Sequence, residues 1–301
     1  MRNAFCQSLL AAADQEQFVF LTGDLGYKAL EPLAAAMGQR FINAGVAEQN
    51  MISVAAGLAR VGMRPWAYSI APFIYSRPME QIRNDLCLHD LAVILVGNGG
   101  GYGYGVMGAT HHALEDYGQL LCLPNMRVCV PAFDADVRPA IGQLMQARHP
   151  TYLRLGLGEE PKDFTPPPYA PWRKLLGGEG PAALVVGPLA GGLIDPLRNI
   201  EPNRRPNLWV LSEMPLQPPA QFLEDIQRTG RLWVIEEHVV VGSVGEMLAH
   251  YLLSHGLAPP TFVHRCARGY VSGLYGSQKF HRAECGLDVQ SLTSALLGRD
   301  A

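Results

Sequence analysis

One carboxylate in this chain lies where a helix is predicted to begin. Glu48 is part of the segment Gly45-Val-Ala-Glu-Gln-Asn-Met51, and apolar residues at near-helical spacing predict a helix over 46–61. We expect Asn43 to cap that helix and Gly62 to end it. An ionised carboxyl in the first turn of a largely buried helix costs several kcal/mol unless it has partners. Glu48 is therefore either a helix-capping acid or a group that exchanges protons.

The glycine-rich stretch 97–116 holds a second candidate, because it ends in Thr-His-His-Ala-Leu-Glu-Asp. No Lys-Ser/Thr pair follows its glycines, so it does not match a P-loop, and it fits a dinucleotide-binding loop poorly. A histidine binds and releases protons near neutral pH, which suits His111 to proton transfer or to hydrogen bonding with a substrate. We expect the neighbouring His112 to be structural.

The elements that must position these residues are predicted from a regular alternation of strand-like and helix-like segments. This alternation in the first half indicates parallel βαβ units and a doubly wound sheet. Strands are predicted at 18–22, 40–43, 65–70, 91–97, 127–130 and 151–155. Helices are predicted at 2–15, 29–37, 46–61, 74–88, 112–121 and 134–148.

A proline-rich break over 157–181 separates the two halves, and we expect it to carry neither helix nor ladder. Strands are predicted beyond it at 182–187, 207–211, 232–236 and 261–264, with helices at 192–199, 219–228, 243–255 and 288–297. The fold class is therefore α/β, with two doubly wound domains, each a mostly parallel sheet flanked by helices. We assign residues 1–158 to the first domain, 159–181 to the linker and 182–301 to the second domain.

Composition argues against several kinds of partner and location. The chain has 301 residues and a formal net charge of −3, without a basic patch for nucleic acid or an anionic membrane. Its 6 cysteines are scattered and form no C-x-x-C pair, which is typical of reduced cytosolic thiols. The N-terminus lacks the apolar core of a signal peptide, and no apolar run approaches the ~18 residues of a membrane span. We expect a cytoplasmic protein.

The segment 40–51 resembles the cofactor-activating segment of the transketolase family of thiamine diphosphate enzymes. The resemblance implies that Glu48 hydrogen-bonds N1′ of the aminopyrimidine ring of the cofactor and so promotes loss of its C2 proton. The segment Pro72-Phe-Ile-Tyr-Ser-Arg-Pro-Met-Glu-Gln-Ile-Arg83 is also similar to the family. It implies that Phe73 stacks on the aminopyrimidine, while Arg77, Gln81 and Arg83 hold the segment or serve a subunit interface.

Three further site residues follow from the same resemblance. His111 matches a histidine that contacts the carbonyl and hydroxyl oxygens of the substrate and helps to shuttle protons. Arg154, in Thr-Tyr-Leu-Arg-Leu, matches an arginine that binds a substrate phosphate, although an ion pair at the strand end is an alternative. Asp24, in Thr-Gly-Asp-Leu-Gly, matches an acid close to the cofactor, and could equally be a turn residue.

The sequence departs from the family at two positions of the sugar pocket. Many full-length transketolases carry a histidine where this chain has Gly99 and an aspartate where it has Met107. Both changes remove a polar group that could pair with a substrate hydroxyl, so we expect acceptor hydroxyls to be recognised less strictly. In the second domain, the triplet Glu236-Glu237-His238 resembles a strand-to-helix turn of the family, and we expect it to be structural and to bind no metal.

The family holds the cofactor diphosphate and Mg²⁺ through a Gly-Asp-Gly…Asn motif that this sequence lacks. The resemblance therefore implies the C-terminal subunit of a split transketolase, which transfers a two-carbon ketol unit to an aldehyde. A separate N-terminal subunit would carry the missing motif, and two copies of each would form a heterotetramer. The alternatives are the β subunit of a 2-oxo acid dehydrogenase and a non-catalytic subunit of the same fold. A 1-deoxyxylulose-phosphate synthase, which is a single chain, is less expected.

Overall fold

A computed structural model describes residues 1–26 and 29–299 of the chain. Strands β1–β6 of the first half are Phe18–Thr22, Phe41–Asn43, Arg64–Ile70, Ile94–Asn98, Arg127–Cys129 and Thr151–Leu155. Helices α1–α7 are Arg2–Leu10, Glu31–Met37, Glu48–Arg60, Ala71–Tyr75, Met79–Gln81, Asp116–Leu121 and Asp134–Leu144. Short 3₁₀ turns lie at Gly38–Arg40 and Gly105–Met107, and a π-helical turn at Ile82–Cys87.

The second half repeats the alternation of strands and helices. Strands β7–β12 are Trp172–Leu176, Ala182–Val186, Asn207–Leu211, Glu213–Met214, Arg231–Ile235 and Thr261–Arg265. Helices α8–α12 are Leu189–Arg198, Ala220–Thr229, Val244–Ser254, Gln278–Cys285 and Val289–Leu296. Among the described residues, no helix has both the length and the apolar character needed to cross a bilayer.

The strands form two mostly parallel sheets with helices packed against them, which confirms the predicted α/β class. The first sheet has 7 strands in the order β10-β5-β6-β4-β3-β1-β2, and the second has 5 in the order β12-β11-β8-β9-β7. Neighbouring strands are parallel except at two sheet edges, where β10 pairs with β5 and β7 pairs with β9 antiparallel. All residues of β1 and β8 are buried, as expected for parallel strands covered on both faces.

Two of the wrong predictions about the local structure involve proline. The helix predicted over 74–88 is broken, because α4 ends at Tyr75 and Pro78, which has no N–H to donate, precedes α5. The proline-rich segment is predicted to carry no ladder, yet it contains β7 immediately after Pro171. β7 is an edge strand, and proline is tolerated just outside an edge ladder.

Helix α11 lies in a part of the second domain for which the sequence pattern predicts no helix. Its start and end signals are nevertheless present in the sequence. Ser277 caps the helix by accepting a hydrogen bond from the N–H of Phe280, and Gly286 follows its end with a left-handed φ of 67°. The helix buries only His281 and Cys285, so its apolar stripe is too narrow to be recognised from hydrophobic periodicity.

The two domains are joined by a shared core and by a buried ion pair. One apolar cluster includes Val128 of the first sheet as well as Leu184 of the second. Arg173 of β7 donates from Nη1 and Nη2 to the two carboxylate oxygens of Asp136, at 2.7 and 2.6 Å. Asp136 also accepts the main-chain N–H of Phe133 and thereby holds the start of α7. The chain that enters the second sheet is thus tied to a helix of the first domain.

We predict that Arg173→Met lowers the free energy of unfolding by about 3–5 kcal/mol, because it leaves the buried carboxylate of Asp136 without its counter-charge. Arg198→Met is the matched control, since Arg198 pairs with Asp195 in a more accessible position. That control should cost less than about 1 kcal/mol. Urea unfolding of the three proteins measures the difference, and equal losses in both variants would contradict the prediction.

Candidate active site

Glu48 is the first residue of α3, and its side chain is 4% exposed. The chain reaches the helix through Gly45, whose φ of 70° turns the backbone between β2 and α3. Asn43 does not cap the helix as predicted, because its Oδ1 accepts the N–H of Gly45 within that turn and Ala47 takes the capping position. Gly62 lies just past the helix end with a φ of 87°, which confirms the predicted stop.

Arg77 joins Glu48 to Phe73, two residues that the sequence resemblance assigns to one site. The Nη1 atom of Arg77 donates to Glu48 Oε1 at 2.8 Å, and its Cζ lies 3.7 Å from the ring centroid of Phe73. The sequence alone gives Arg77 only the tasks of holding its segment or serving an interface. Arg77 lies in the turn that follows α4, the helix that carries Phe73, so no regular helical spacing in the sequence signals this contact.

His111 completes this group of side chains. Its ring centroid lies 5.2 Å from that of Phe73 at an interplanar angle of 64°, and its Nδ1 is 2.9 Å from Thr110 Oγ1. The side chain of His111 is half-buried. The structure therefore brings together three predicted residues, Glu48, Phe73 and His111, and adds Arg77 to them.

Tyr104 is a residue of this site that the sequence analysis misses. Its ring centroid is 5.8 Å from that of His111, and its hydroxyl accepts a hydrogen bond from Asn98 Nδ2 at 2.8 Å. A Cβ on Gly99 would lie 2.3 Å from the Tyr104 ring, so this tyrosine fills the space beside the glycine. Burial raises the pKa of Tyr104, which keeps its hydroxyl neutral. The second departure from the family, Met107, is 55% exposed.

His112 anchors the loop that carries His111, as predicted for a structural residue. Its Nε2 donates to the carbonyl of Gly105 at 2.8 Å, so the neutral ring accepts at Nδ1 from the Tyr270 hydroxyl at 2.9 Å. Burial lowers the pKa of His112, and the ring of His281 nearby acts in the same direction. The loop is thereby fixed to the second domain.

Arg154 makes its hydrogen bonds to residues other than Glu48, Phe73 and His111. Its side chain is buried, and its Nε donates to Asp116 Oδ2 at 2.7 Å while Nη2 donates to the carbonyls of Ala113 and Glu237. Burial disfavours the charged guanidinium, but the Asp116 carboxylate keeps the pKa of Arg154 above its usual value. These contacts fit the alternative, an ion pair at the strand end, and the contact of Arg154 with a substrate phosphate stays a prediction.

Asp24 lies on an exposed turn after β1. Its φ is 59°, and its Oδ1 accepts a hydrogen bond from Asn43 Nδ2 at 2.8 Å. The preceding Gly23 approaches the site more closely, because a Cβ there would lie 3.6 Å from Glu48 Oε1. These contacts show that Asp24 is a turn residue near Glu48. Its role in binding the cofactor stays a prediction.

The Glu236-Glu237-His238 triplet helps to hold the two domains together. Glu236 accepts the N–H groups of Val244 and Gly245 at the start of α10. Burial alone would raise the pKa of Glu236, but hydrogen bonds, first that of His264, lower it. Glu237 instead accepts the N–H of Tyr102 at 2.8 Å, across the domain boundary. The neighbouring carboxylates thus serve different elements.

This chain is similar to proteins of a known family. Residues 1–159 match the family described as "Transketolase, pyrimidine binding domain". The chain belongs to the transketolase family. The match covers the segments of Glu48, Phe73 and His111, and it confirms the family that their resemblance indicated.

Individual relatives of this transketolase-family chain agree with that assignment. A subunit of the apulose-4-phosphate transketolase of Actinobacillus succinogenes is 28% identical over 276 residues, which cover 89% of this chain and 87% of the relative. The 1-deoxy-D-xylulose-5-phosphate synthase of Myxococcus xanthus is 29% identical over 283 residues, which cover 89% of this chain but 46% of the enzyme. A solved structure described as "Split gene transketolase, inactive beta4 tetramer" has a TM-score of 0.82 and 28% identity, covering 99% of this chain and 97% of that one. Together these likenesses support a C-terminal subunit of transketolase type.

We predict that His112 makes the stability of this transketolase-family chain pH-dependent. Because its pKa is lowered in the folded state, the unfolded chain binds a proton first as the pH falls below about 6.5. The contribution of His112 is present above that pH and is lost below it. His112→Gln should therefore flatten the fall in the free energy of unfolding between about pH 7.5 and 5.5.

The control for this measurement is His89→Gln, since His89 is exposed on the surface. Its unfolding free energies should follow the wild-type pH dependence. The slope removed by His112→Gln is at most about 1.4 kcal/mol per pH unit. A His112→Gln profile parallel to that of the wild type would contradict the prediction.

Proposed function

We propose that this chain is the C-terminal subunit of a split transketolase that transfers a two-carbon ketol unit from a ketose to an aldehyde. The observation that carries the proposal is the convergence of Glu48 and Phe73 on one planar group, the guanidinium of Arg77. The relative from Actinobacillus succinogenes is itself named as one subunit of a transketolase, which supports activity in an enzyme of more than one polypeptide. A cytoplasmic location stays a prediction from the sequence.

The residues of this chain fit the aminopyrimidine half of thiamine diphosphate. Arg77 demonstrates that a flat group with N–H donors can lie against Phe73 and bond to the buried carboxylate of Glu48 at the same time. Thiamine diphosphate, when bound, supplies the carbanion chemistry of ketol transfer. The part played by this chain is to orient the pyrimidine ring by stacking on Phe73 and to hold a proton at Glu48.

His111 is the proposed contact with the substrate. Its half-buried ring lies beside Phe73, so it can hydrogen-bond to the oxygens of a carbonyl compound and take part in proton transfer. Tyr104 forms an aromatic wall next to His111, and its hydroxyl is already engaged with Asn98. Gly99 and Met107 offer acceptor hydroxyls no polar side-chain group where many transketolases have a histidine and an aspartate, so we propose a less hydroxylated acceptor.

The diphosphate and Mg²⁺ are proposed to be held by an N-terminal subunit with the Gly-Asp-Gly…Asn motif. The sequence of this chain lacks the motif, and the chain matches the C-terminal type of transketolase subunit. Each active site would then draw residues from both polypeptides, in a heterotetramer with two copies of each. Neither subunit would be active alone.

Measurements of cofactor binding test directly whether the two subunits hold different halves of the cofactor. We expect isothermal calorimetry to show no tight binding of thiamine diphosphate and Mg²⁺ to the isolated chain, because its sequence lacks the motif that holds the charged half of the cofactor. Mixing the chain with a companion carrying the Gly-Asp-Gly…Asn motif should produce both tight binding and ketol transfer. Tight Mg²⁺-dependent binding to the isolated chain would refute the split-enzyme proposal.

The proposed role of Glu48 predicts a specific defect in Glu48→Gln. The amide keeps the size of the side chain but cannot share a proton with N1′, so exchange of the cofactor C2 proton for deuterium should slow about 10²–10⁴-fold in the assembled complex. Glu80→Gln makes the same chemical change at an exposed position and should exchange like the wild type. If Glu48→Gln exchanges the cofactor C2 proton as fast as the wild type, the proposal is wrong and Glu48 serves only as an acid at the start of the helix.

A further inference from the structure

The side chain of Arg77 lies on the two groups that the proposed function assigns to the aminopyrimidine. Its guanidinium covers one face of the Phe73 ring at 3.7 Å, and it takes Glu48 Oε1 as a hydrogen-bond acceptor at 2.8 Å. We propose that Arg77 is a stand-in for the aminopyrimidine. Its side chain closes the site in the chain alone and must rotate away before the cofactor can bind. This inference rests on the proposed function, since it assumes that the site binds an aminopyrimidine.

The chemistry of the two groups explains why one can replace the other. A guanidinium is a planar, delocalised cation that stacks on aromatic faces and donates N–H groups to carboxylates. An aminopyrimidine is likewise planar and carries an exocyclic amino group beside ring nitrogens. Both need the face of Phe73 and the carboxylate of Glu48, and the two cannot lie on the same ring face at 3.7 Å together. Binding of one therefore excludes the other.

The surroundings of Arg77 allow its side chain to leave without any change in the fold. The side chain is 43% exposed, while the main-chain carbonyl of Arg77 accepts a hydrogen bond from Gln49 Nε2 and Pro78 follows in the chain. The backbone is therefore held and only side-chain torsions have to rotate. Partly exposed side chains change rotamer on the picosecond to nanosecond timescale, so opening need not be slow.

The strength of the contact decides how much it lowers the apparent affinity. A half-exposed ion pair is weak and is screened by salt, so Arg77 does not close the site permanently. The apparent dissociation constant is the intrinsic one divided by the open fraction of molecules. If Arg77 covers the site in about nine of ten molecules, its removal should tighten binding of a pyrimidine about ten-fold.

The test uses the full chain without any partner and the cofactor fragment 4-amino-5-hydroxymethyl-2-methylpyrimidine, which lacks the diphosphate. Titrations followed by NMR should give an about ten-fold lower dissociation constant for Arg77→Ala than for the wild type. Arg83→Ala is the matched control, because Arg83 is an exposed arginine of the same segment that bonds to Asn84. It should bind the fragment like the wild type.

A second measurement needs no variant that might disturb the segment. Raising NaCl from about 0.05 to 0.5 M screens the Arg77–Glu48 pair, so the wild type should bind the uncharged fragment more tightly at high salt. Arg77→Ala should show no such dependence. A wild-type affinity that is independent of salt, or equal to that of Arg77→Ala, would overturn the stand-in role.

Two further variants separate failure of this inference from failure of the proposed function. Phe73→Ala and Glu48→Gln remove the stacking surface and the carboxylate, so both should abolish fragment binding. If they do so while Arg77→Ala equals the wild type, the pyrimidine site stands and only the stand-in role is wrong. If neither the wild type nor Arg77→Ala binds the fragment, the proposed cofactor site is wrong, and the stand-in role falls with it.

Discussion

The buried ion pair of Arg154 and Asp116 connects the parts from which the candidate site is built. Arg154 lies on β6, inside the first sheet, and Asp116 is the first residue of α6. A charge pair removed from water is costly unless further hydrogen bonds satisfy its remaining polar groups. Nη2 of Arg154 donates to the carbonyls of Ala113 and Glu237, and Asp116 Oδ2 also accepts the Tyr152 hydroxyl, while Asp116 Oδ1 has no hydrogen-bond partner among the described residues. One side chain therefore joins the first sheet, the glycine-rich loop and the second domain.

That connection explains how a glycine-rich loop can hold His111 in a defined place. The loop is closed by reciprocal main-chain hydrogen bonds between Gly101 and Ala113, both 2.9 Å long. His112 fixes it again through Gly105. Between these anchors His111 turns its ring toward Phe73. A reactive side chain on a loop gains precision from such supports, which here come from residues with no proposed chemical role of their own.

The sequence predicts well what depends on local patterns and poorly what depends on distant partners. The buried run of β1 and the helix end at Gly62 follow from apolar spacing and from the conformational freedom of glycine, and both are confirmed. The surroundings of Arg154 are harder to predict, because the sequence does not reveal that Asp116, 38 positions away, takes its guanidinium. The same holds for Arg77, whose contact with Glu48 spans 29 positions. Such pairs are set by the packing of elements, which periodicity does not encode.

Strand β10 has a consequence for how this polypeptide is made. Glu213–Met214 follow three strands of the second sheet in the chain, yet they form the edge of the first sheet beside β5. While the ribosome is still synthesising the residues before Glu213, the open N–H and C=O groups of β5 lie uncovered, and such an edge invites pairing with other chains. A chain cut in the proline-rich segment would keep that edge permanently. The first sheet is therefore completed only late in synthesis, and the two halves depend on each other to avoid aggregation.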